Sequence, residues 1–451
     1  MSSILRLNHF YKNGLTNFLH IIIFCAYLSF STEDGAKSAG PARDNTTVIS
    51  EDDSKFLFGK PHPSEQNTDL PRPDPYDARL NAPQLIRRNG YPVDVHQYVT
   101  KDRYLLTLHR IPQPGATPVV VMHGILCSSR DWLLQRGNNS LAYMLYNAGY
   151  DVWLGNMRGN NYSQGHLEYD LDDPRYWDFS VDDISNFDVP STIDYVLATT
   201  NHTQLCWIGY SLGTTTLFSG LITNQEYQAK VKCFGGLAPV AYKGNCKSPV
   251  IRALADLTLP EKPLKLALDI PSHGRFLPSM LSNALNIFMP HFCHPGIDQL
   301  DLCGTFISLV GGFNPGQTDQ LMEPIILGEF PSPTSVRVLI QQLQHVTIGA
   351  GKFRPYFYQN ISKNIDKYGF ILPPELDLTK FRVDTMIFAG LNDYLAPPED
   401  VALLVRKLPH LRHFHNVSDP TWNHLDFLYA KQARSLLYDL VIERLMECSL
   451  P

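Results

Sequence analysis

The sequence predicts a protein of the α/β class, with a mostly parallel central sheet and a helical insertion. Three observations predict it: short apolar runs recur, each closed by a turn signal; segments with helical spacing separate them; and the strand-like pattern lapses from about Lys243 to Thr379 before it resumes. The runs are Val119–Gly124, Asp151–Gly155, Leu205–Gly209, Val231–Gly235 and Thr385–Gly390. They are apolar at nearly every position, as strands covered on both faces must be. Pro190–Ala198 and Val401–Leu408 carry helical periodicity, which makes the alternation βαβ. In the insertion, apolar helical stretches such as Pro278–Phe288 and Val336–Ile348 are divided by Pro and Gly. These predict a cap over the carboxyl ends of the strands, where open α/β sheets bind ligands. An independent second domain is the weaker reading, because sheet-like sequence follows.

Composition narrows the class. The chain has 451 residues, 44% hydrophobic and 18% charged, too apolar for disorder. Its mean hydropathy of -0.16 is too low for a multi-span membrane protein. A formal charge of -6 with no run of Lys and Arg offers nothing to a phosphate backbone, which argues against a nucleic-acid partner. At the start, a basic lead with Arg6 and Lys12 precedes an apolar run from Phe18 to Phe30, followed by the small Ser31 and Thr32. That length suits a secretory leader and falls short of a spanning helix; a retained anchor or a buried helix of a cytosolic protein are the alternatives. Six Asn-x-Ser/Thr acceptors, at Asn45, Asn138, Asn161, Asn201, Asn360 and Asn416, suit a glycosylated lumenal protein. Of the eight cysteines, Cys25 leaves with a cleaved leader, so seven remain and at least one is unpaired. Spacing leaves their connectivity open, and without a CxxC pair a zinc ribbon or thioredoxin-type site has no support. Residues from about Thr32 to Pro75, rich in Ser, Asp, Glu, Asn and Pro, are expected to be a variable lead-in, with order beginning near Ala82 and Gly90-Tyr91-Pro92.

The sharpest local signal is Gly209-Tyr210-Ser211-Leu212-Gly213, set directly after a buried strand and opening a helical segment, Thr214 to Leu221. In that context it is a nucleophile elbow of an α/β-hydrolase, whose strained turn lifts the hydroxyl out of the sheet. A serine hydroxyl is a poor nucleophile at neutral pH, so it needs an imidazole to take its proton and a carboxylate to orient that imidazole. The fold orders them Ser, acid, His. Asp393 follows the Thr385–Gly390 strand, and His424 lies in Trp422-Asn-His-Leu-Asp-Phe427, with room for a helix and a strand between. Asp384, Asp400 and Asp426 compete with Asp393; its place at a strand end favours it, since Asp384 is expected before its strand and Asp400 in the next helix. His410, His413 and His415 compete with His424, which sits where chain order requires a base. The backbone N–H groups of Leu212 and Ile125 are the expected donors to the oxyanion, with Gly124 allowing close approach.

These residues and others resemble the acid lipase family, which includes gastric and lysosomal acid lipases. The similar stretches run from Gly90-Tyr91-Pro92 through His109–Pro112, His123–Leu126, Asn156–Asn160, Trp177–Ser180, the Ser211 elbow, Leu237–Ala241, Asp393 with Ala396-Pro397, and His424–Phe427. The resemblance implies a triad of Ser211, Asp393 and His424, oxyanion positions at Ile125 and Leu212, a cap and lid over residues 241–379, and a cap disulfide between Cys293 and Cys303. It also implies no metal or coenzyme. The remaining organisation is then a signal peptide over 1–32, a lead-in over 33–80, and a hydrolase core in two parts, 81–240 and 380–451. The chain departs from the family at Tyr210 and Leu212, where His and Gln are usual, and at Arg103, where Gly is usual.

Family members cleave triacylglycerols or cholesteryl esters, often in acid. The expected partner is thus a lipid ester at an oil–water or membrane interface, with no obligatory protein partner, and the expected location is secreted or lysosomal. An imidazole of ordinary pKa, about 6.5, is mostly protonated in acid, so acid activity would require burial to lower it. Two alternatives stand beside the lipase: a non-catalytic lipid-binding or adhesion protein on the same fold, and a carboxylesterase for small soluble esters.

Overall fold

The computed structural model describes residues 74–135, 139–256, 273–276, 285, 289–291, 293, 302–317, 319–358 and 360–449. The leader over 1–32, most of the lead-in, and all of Pro278–Phe288 but Leu285 lie outside the described residues.

The central sheet is built from β1 (Asp94–Val99), β2 (Tyr104–Ile111), β3 (Pro118–Met122), β4 (Asp151–Leu154), β5 (Gly165–His166), β6 (Leu205–Tyr210) and β7 (Val231–Leu237). After a separate pair, β8 (Arg275–Phe276) with β9 (Thr334–Ser335), the sheet resumes with β10 (Asp384–Ala389) and β11 (Leu411–Asn416). Its order is β1-β2-β4-β3-β6-β7-β10-β11, with β5 beside β2. From β4 to β11 all neighbours are parallel, whereas β1 and β2 add antiparallel pairing at one end. All five apolar runs are strands, and the α/β-hydrolase fold is the one the sequence predicts.

The helices that matter here are α1 (Ala82–Arg88), α2 (Leu141–Asn147), α3 (Val189–Thr200), α4 (Leu212–Thr223), α5 (Pro249–Asp256), α6 (Leu302–Gly311), α7 (Val336–Thr347), α8 (Ile361–Tyr368), α9 (Pro398–Val405) and α10 (Asp439–Ser449). Helical turns over Val181–Asp183 and Ile184–Asp188 lead into α3.

Period-two alternation sorts the sheet's side chains into two cores. Val120 and Met122 of β3 and Trp207 of β6 pack with Ile193 of α3 and Phe218 of α4. Val119, Val121 and Ile208 face the other way, against α1, α2 and α10. Burial on both faces is why these strands read as unbroken apolar runs. Among the described residues, the segment 241–379 adds no strand to this sheet.

Two expectations need correction. Order begins before Ala82, with a short helical turn over Pro75–Arg79 capped by Asp74. The buried Arg130 guanidinium holds it by donating to the carbonyls of Asp77 and Leu80, and to that of Ile325 in the insertion. Asp384 does not precede its strand but opens it, its carboxylate 3.0 Å from Arg412. Within the insertion, β8 and β9 form only a separate two-residue pairing.

Arg103 occupies the left-handed region at φ 77 in the turn between β1 and β2. That conformation costs a side chain what it does not cost glycine, which accounts for the glycine usual there. Cys233 of β7 is bonded to Cys448 of α10, a pairing that spacing left open, and Cys293 is bonded to Cys303. Cys127, Cys206 and Cys246 are buried free thiols.

Candidate active site

Sheet order places the site. From β3 the chain steps one way to β4, passes through the short β5 beside β2, and then returns to the other side of β3 as β6. Such a reversal opens a crevice at the carboxyl ends of the strands. Gly124 leaves the end of β3 and Ser211 the end of β6.

Ser211 has φ 51 and ψ -115, a conformation non-glycine residues rarely adopt. Its N–H donates to the Leu237 carbonyl at 3.1 Å, and its own carbonyl accepts from Thr214 N at 2.9 Å. Two glycines make the turn possible. A Cβ on Gly213 would stand 2.6 Å from the Met122 carbonyl oxygen, and one on Gly209 would stand 2.8 Å from the Gly213 carbonyl.

The structure brings Ser211, Asp393 and His424 together. Ser211 Oγ is 2.8 Å from His424 Nε2, and His424 Nδ1 is 2.8 and 3.0 Å from the Asp393 carboxylate oxygens. All three side chains are buried. Asp393 is itself oriented, because its Oδ1 accepts from the N–H groups of Leu395 and Ala396 at 2.8 and 2.7 Å. The competitors stand elsewhere: Asp384 on Arg412, Asp400 accepting from Asn245, and His410, His413 and His415 on or beside β11.

Asp426 is not an acid of this relay but a clamp on its loop. Its Oδ2 accepts from Asn423 N at 2.8 Å and Asn314 Nδ2 at 2.7 Å, while Asn423 Oδ1 accepts from Leu425 N and Asp426 N. Burial pushes the Asp426 carboxyl up to about 7.

A further piece comes from the end of α6. The Gly311 carbonyl accepts from both Tyr394 N and His424 N at 3.2 Å, so it joins the acid loop to the base loop. Gly312 follows at φ 117, and a Cβ there would stand 2.2 Å from the Asn392 carbonyl oxygen. Sequence reasoning missed this pair; the Gly311-Gly312 dipeptide is the signal that marks it.

The N–H groups expected to face an oxyanion are held by helix and side chain. Leu212 is the first residue of α4, so its N–H belongs to the end of a helix that has no internal acceptor. His123 governs Ile125. Its Nδ1 donates to the Gly124 carbonyl at 2.7 Å, while its Nε2 accepts from Met157 N and Asn160 Nδ2, both at 3.1 Å. Because C=O and N–H of a trans peptide point opposite ways, fixing the Gly124 carbonyl also fixes the Ile125 N–H. Burial lowers His123 to about 4, so it remains neutral in this role down to that pH. Gly124 lies under the ring of Tyr210, which a Cβ would meet at 2.8 Å.

Of the glycosylation candidates, Asn201, Asn360 and Asn416 are exposed. Asn161 is half-buried with its amide near the Glu329 carbonyl, and Asn45 and Asn138 lie outside the described residues.

Comparison with known proteins adds to this geometry. The family described as "Partial alpha/beta-hydrolase lipase region" matches residues 82–136, and that described as "alpha/beta hydrolase fold" matches 117–254. The chain is 36% identical over 370 residues to Lipase 3 of Drosophila melanogaster, covering 80% of this chain and 92% of that protein. It is 32% identical over 412 residues to human gastric triacylglycerol lipase, with coverage of 87% and 94%. Human lipase member K is 32% identical over 375 residues, with coverage of 81% and 91%.

Proposed function

The chain belongs to the acid lipase family of α/β-hydrolases and is an ester hydrolase, and from this we propose that it cleaves triacylglycerol, cholesteryl ester or both through an acyl-enzyme on Ser211. The observation that carries the reading is the unbroken relay from Ser211 Oγ through His424 to Asp393, with no step longer than 3.0 Å.

His424 Nε2 takes the hydroxyl proton as Ser211 Oγ attacks the ester carbonyl, and Asp393 holds the imidazole in the tautomer that can receive it. The negative oxygen of the tetrahedral intermediate is met by the N–H groups of Leu212 and Ile125. The imidazolium returns its proton to the departing alcohol, leaving the acyl group on Ser211. Water then repeats the sequence: His424 takes a proton from it, the hydroxyl adds to the acyl carbon, and the fatty acid leaves as Ser211 recovers its proton. The segment 241–379 serves as cap and lid, a role supported by α6 contacting both catalytic loops.

We place the protein in the secretory route, as a secreted or lysosomal enzyme carrying glycans at its acceptor asparagines. The leader, the acceptors and two disulfides support this, since disulfides persist in oxidising compartments. No helix among the described residues is long and apolar enough to cross a membrane.

The test is hydrolysis of emulsified triolein, emulsified cholesteryl oleate and a soluble short-chain ester from about pH 4 to 8, a range bracketing the imidazole. Turnover of an emulsion that disappears in Ser211→Ala is the expected result. Full activity in that variant, or none on any ester in the wild type, would refute the reading.

A further inference from the structure

Thirteen large apolar side chains are exposed among the described residues, and five of them fall within residues 361–372. Scattered exposed apolar residues are ordinary, but a concentration of them marks an interaction surface. Phe370, Ile371 and Leu372 are successive and 64%, 58% and 53% exposed; Ile361 and Ile365 lie one turn apart on a flank of α8.

Apolar packing is not what holds this element. Asn360 caps α8 by accepting from Lys363 N at 3.0 Å, and Gly369 ends it at φ 76. The inward stripe is polar: Asn364 is buried and accepts from Tyr358 N, while the Tyr368 hydroxyl donates to the Tyr356 carbonyl at 2.7 Å and stands 3.2 Å from Asp182 Oδ2. That anchor also fixes the patch's place. Asp182 lies in the first turn of the helical run that descends to β6, so it stands at the carboxyl edge of the sheet, the edge from which Ser211 emerges.

We propose that this patch is the surface by which the enzyme docks on lipid, with Phe370–Leu372 and the Ile361/Ile365 flank entering the outer layer of a droplet or bilayer. The proposal rests on the lipase reading, because a water-insoluble ester is presented only as a surface. Such a surface becomes anionic as fatty acids are released. The whole chain, at -6, is repelled by it, but α8 exposes Lys363 and Lys367 against a single Asp366. The two lysines lie one turn apart but about 200° around the helix from Ile361 and Ile365, so they attract an anionic surface across a screening length of about 10 Å rather than by contact from the inserting flank. A glycan on Asn360 would stand at the far end of the helix, about 14 Å from Gly369 at the usual helical rise.

The experiment compares flotation of the full protein with triolein droplets, with phosphatidylcholine vesicles, and with the same vesicles containing oleate. The variants are F370S/I371S/L372S and K363Q/K367Q. The serine variant is expected to lose about tenfold or more of its affinity for every lipid particle, and activity on the emulsion with it, while turning over a soluble short-chain ester as the wild type does. The glutamine variant is expected to weaken binding several-fold on oleate-containing vesicles alone. Unchanged flotation of the serine variant overturns the proposal. So does a wild-type dimer that this variant splits in sedimentation without change in lipid binding, since the occupant would then be a second copy. If the wild type hydrolyses no ester, the lipase reading falls instead, and flotation still reports on docking by itself.

Discussion

The hydroxyl of Tyr210 donates to the main-chain oxygen of His424 at 3.0 Å, and the two rings lie 5.2 Å apart. The residue before Ser211 therefore helps to hold His424. Tyr210→Phe keeps the ring and leaves a buried carbonyl without its partner, which costs about 1–3 kcal/mol. We expect a lower melting temperature and a several-fold fall in kcat on a soluble ester with KM little changed, measured by thermal unfolding and steady-state kinetics. Equal kcat in the two proteins would show that this bond does not position His424.

Gly213 tolerates no side chain, because its Cβ would stand 2.6 Å from one backbone oxygen and 2.9 Å from the next, those of Met122 and His123. Gly213→Ala is expected to destabilise the fold by about 1–3 kcal/mol and to abolish ester turnover. Gly235→Ala is the comparison, since its Cβ would meet Ile208 at an ordinary 3.5 Å. Chemical unfolding of both variants checks the contrast.

Arg103 holds a left-handed backbone at φ 77, and its side chain makes an exposed ion pair with Glu168 at 2.6 Å. Exposed pairs contribute little, whereas the conformation costs a side chain about 1 kcal/mol relative to glycine. Arg103→Gly is therefore expected to raise the melting temperature by a few degrees. A lower melting temperature would mean that the ion pair outweighs the backbone.

The Asp426 carboxyl titrates near 7 when folded, against an ordinary 3.8. Between those values the folded chain keeps a proton that the unfolded chain releases, so this contribution is full below about 4 and is lost as pH rises through about 7. His109, His123 and His345, lowered to about 4 by burial, act oppositely, since the unfolded chain holds the extra proton between about 4 and 6.5. Asp426→Asn can still accept from Asn423 and Asn314. Wild-type stability relative to this variant is expected to decline from pH 4 to 7 by an amount on the order of a few kcal/mol, read from urea unfolding. A pH-independent difference would contradict it.

The Cys233–Cys448 bond spans 215 residues, so it restricts the unfolded chain far more than the 10-residue span of Cys293–Cys303. Cys233→Ser with Cys448→Ser is expected to cost about 4–5 kcal/mol by loop entropy, more than the paired change at Cys293 and Cys303. Unfolding free energies of the two double variants test the order.

The parts legible in the sequence were those governed by local rules. Val119–Met122 and Leu205–Tyr210 read as strands because burial on both faces leaves them unbroken apolar runs. Ser211 was found because one strained turn requires glycine on both sides at fixed offsets. β1 was not anticipated, since Asp94–Val99 is an edge strand with most of its residues exposed, Val95 and Val99 among them, and lacks that signal. What Gly311 and His123 do was hidden for another reason: their partners, His424 and Met157, lie 113 and 34 residues away. The Cys233–Cys448 pairing was closed to spacing arguments in the same way.

The chain order of the relay governs when it can exist. Ser211 precedes His424 by 213 residues, and both Asp393 and His424 follow the whole inserted segment. During synthesis the nucleophile emerges long before the groups that activate it. On the reading proposed above, a nascent chain carries Ser211 without its partners, and hydrolytic capacity arises only once the late strands have joined the sheet. On that reading the order of residues along the chain alone delays activity, without a peptide bond to cut.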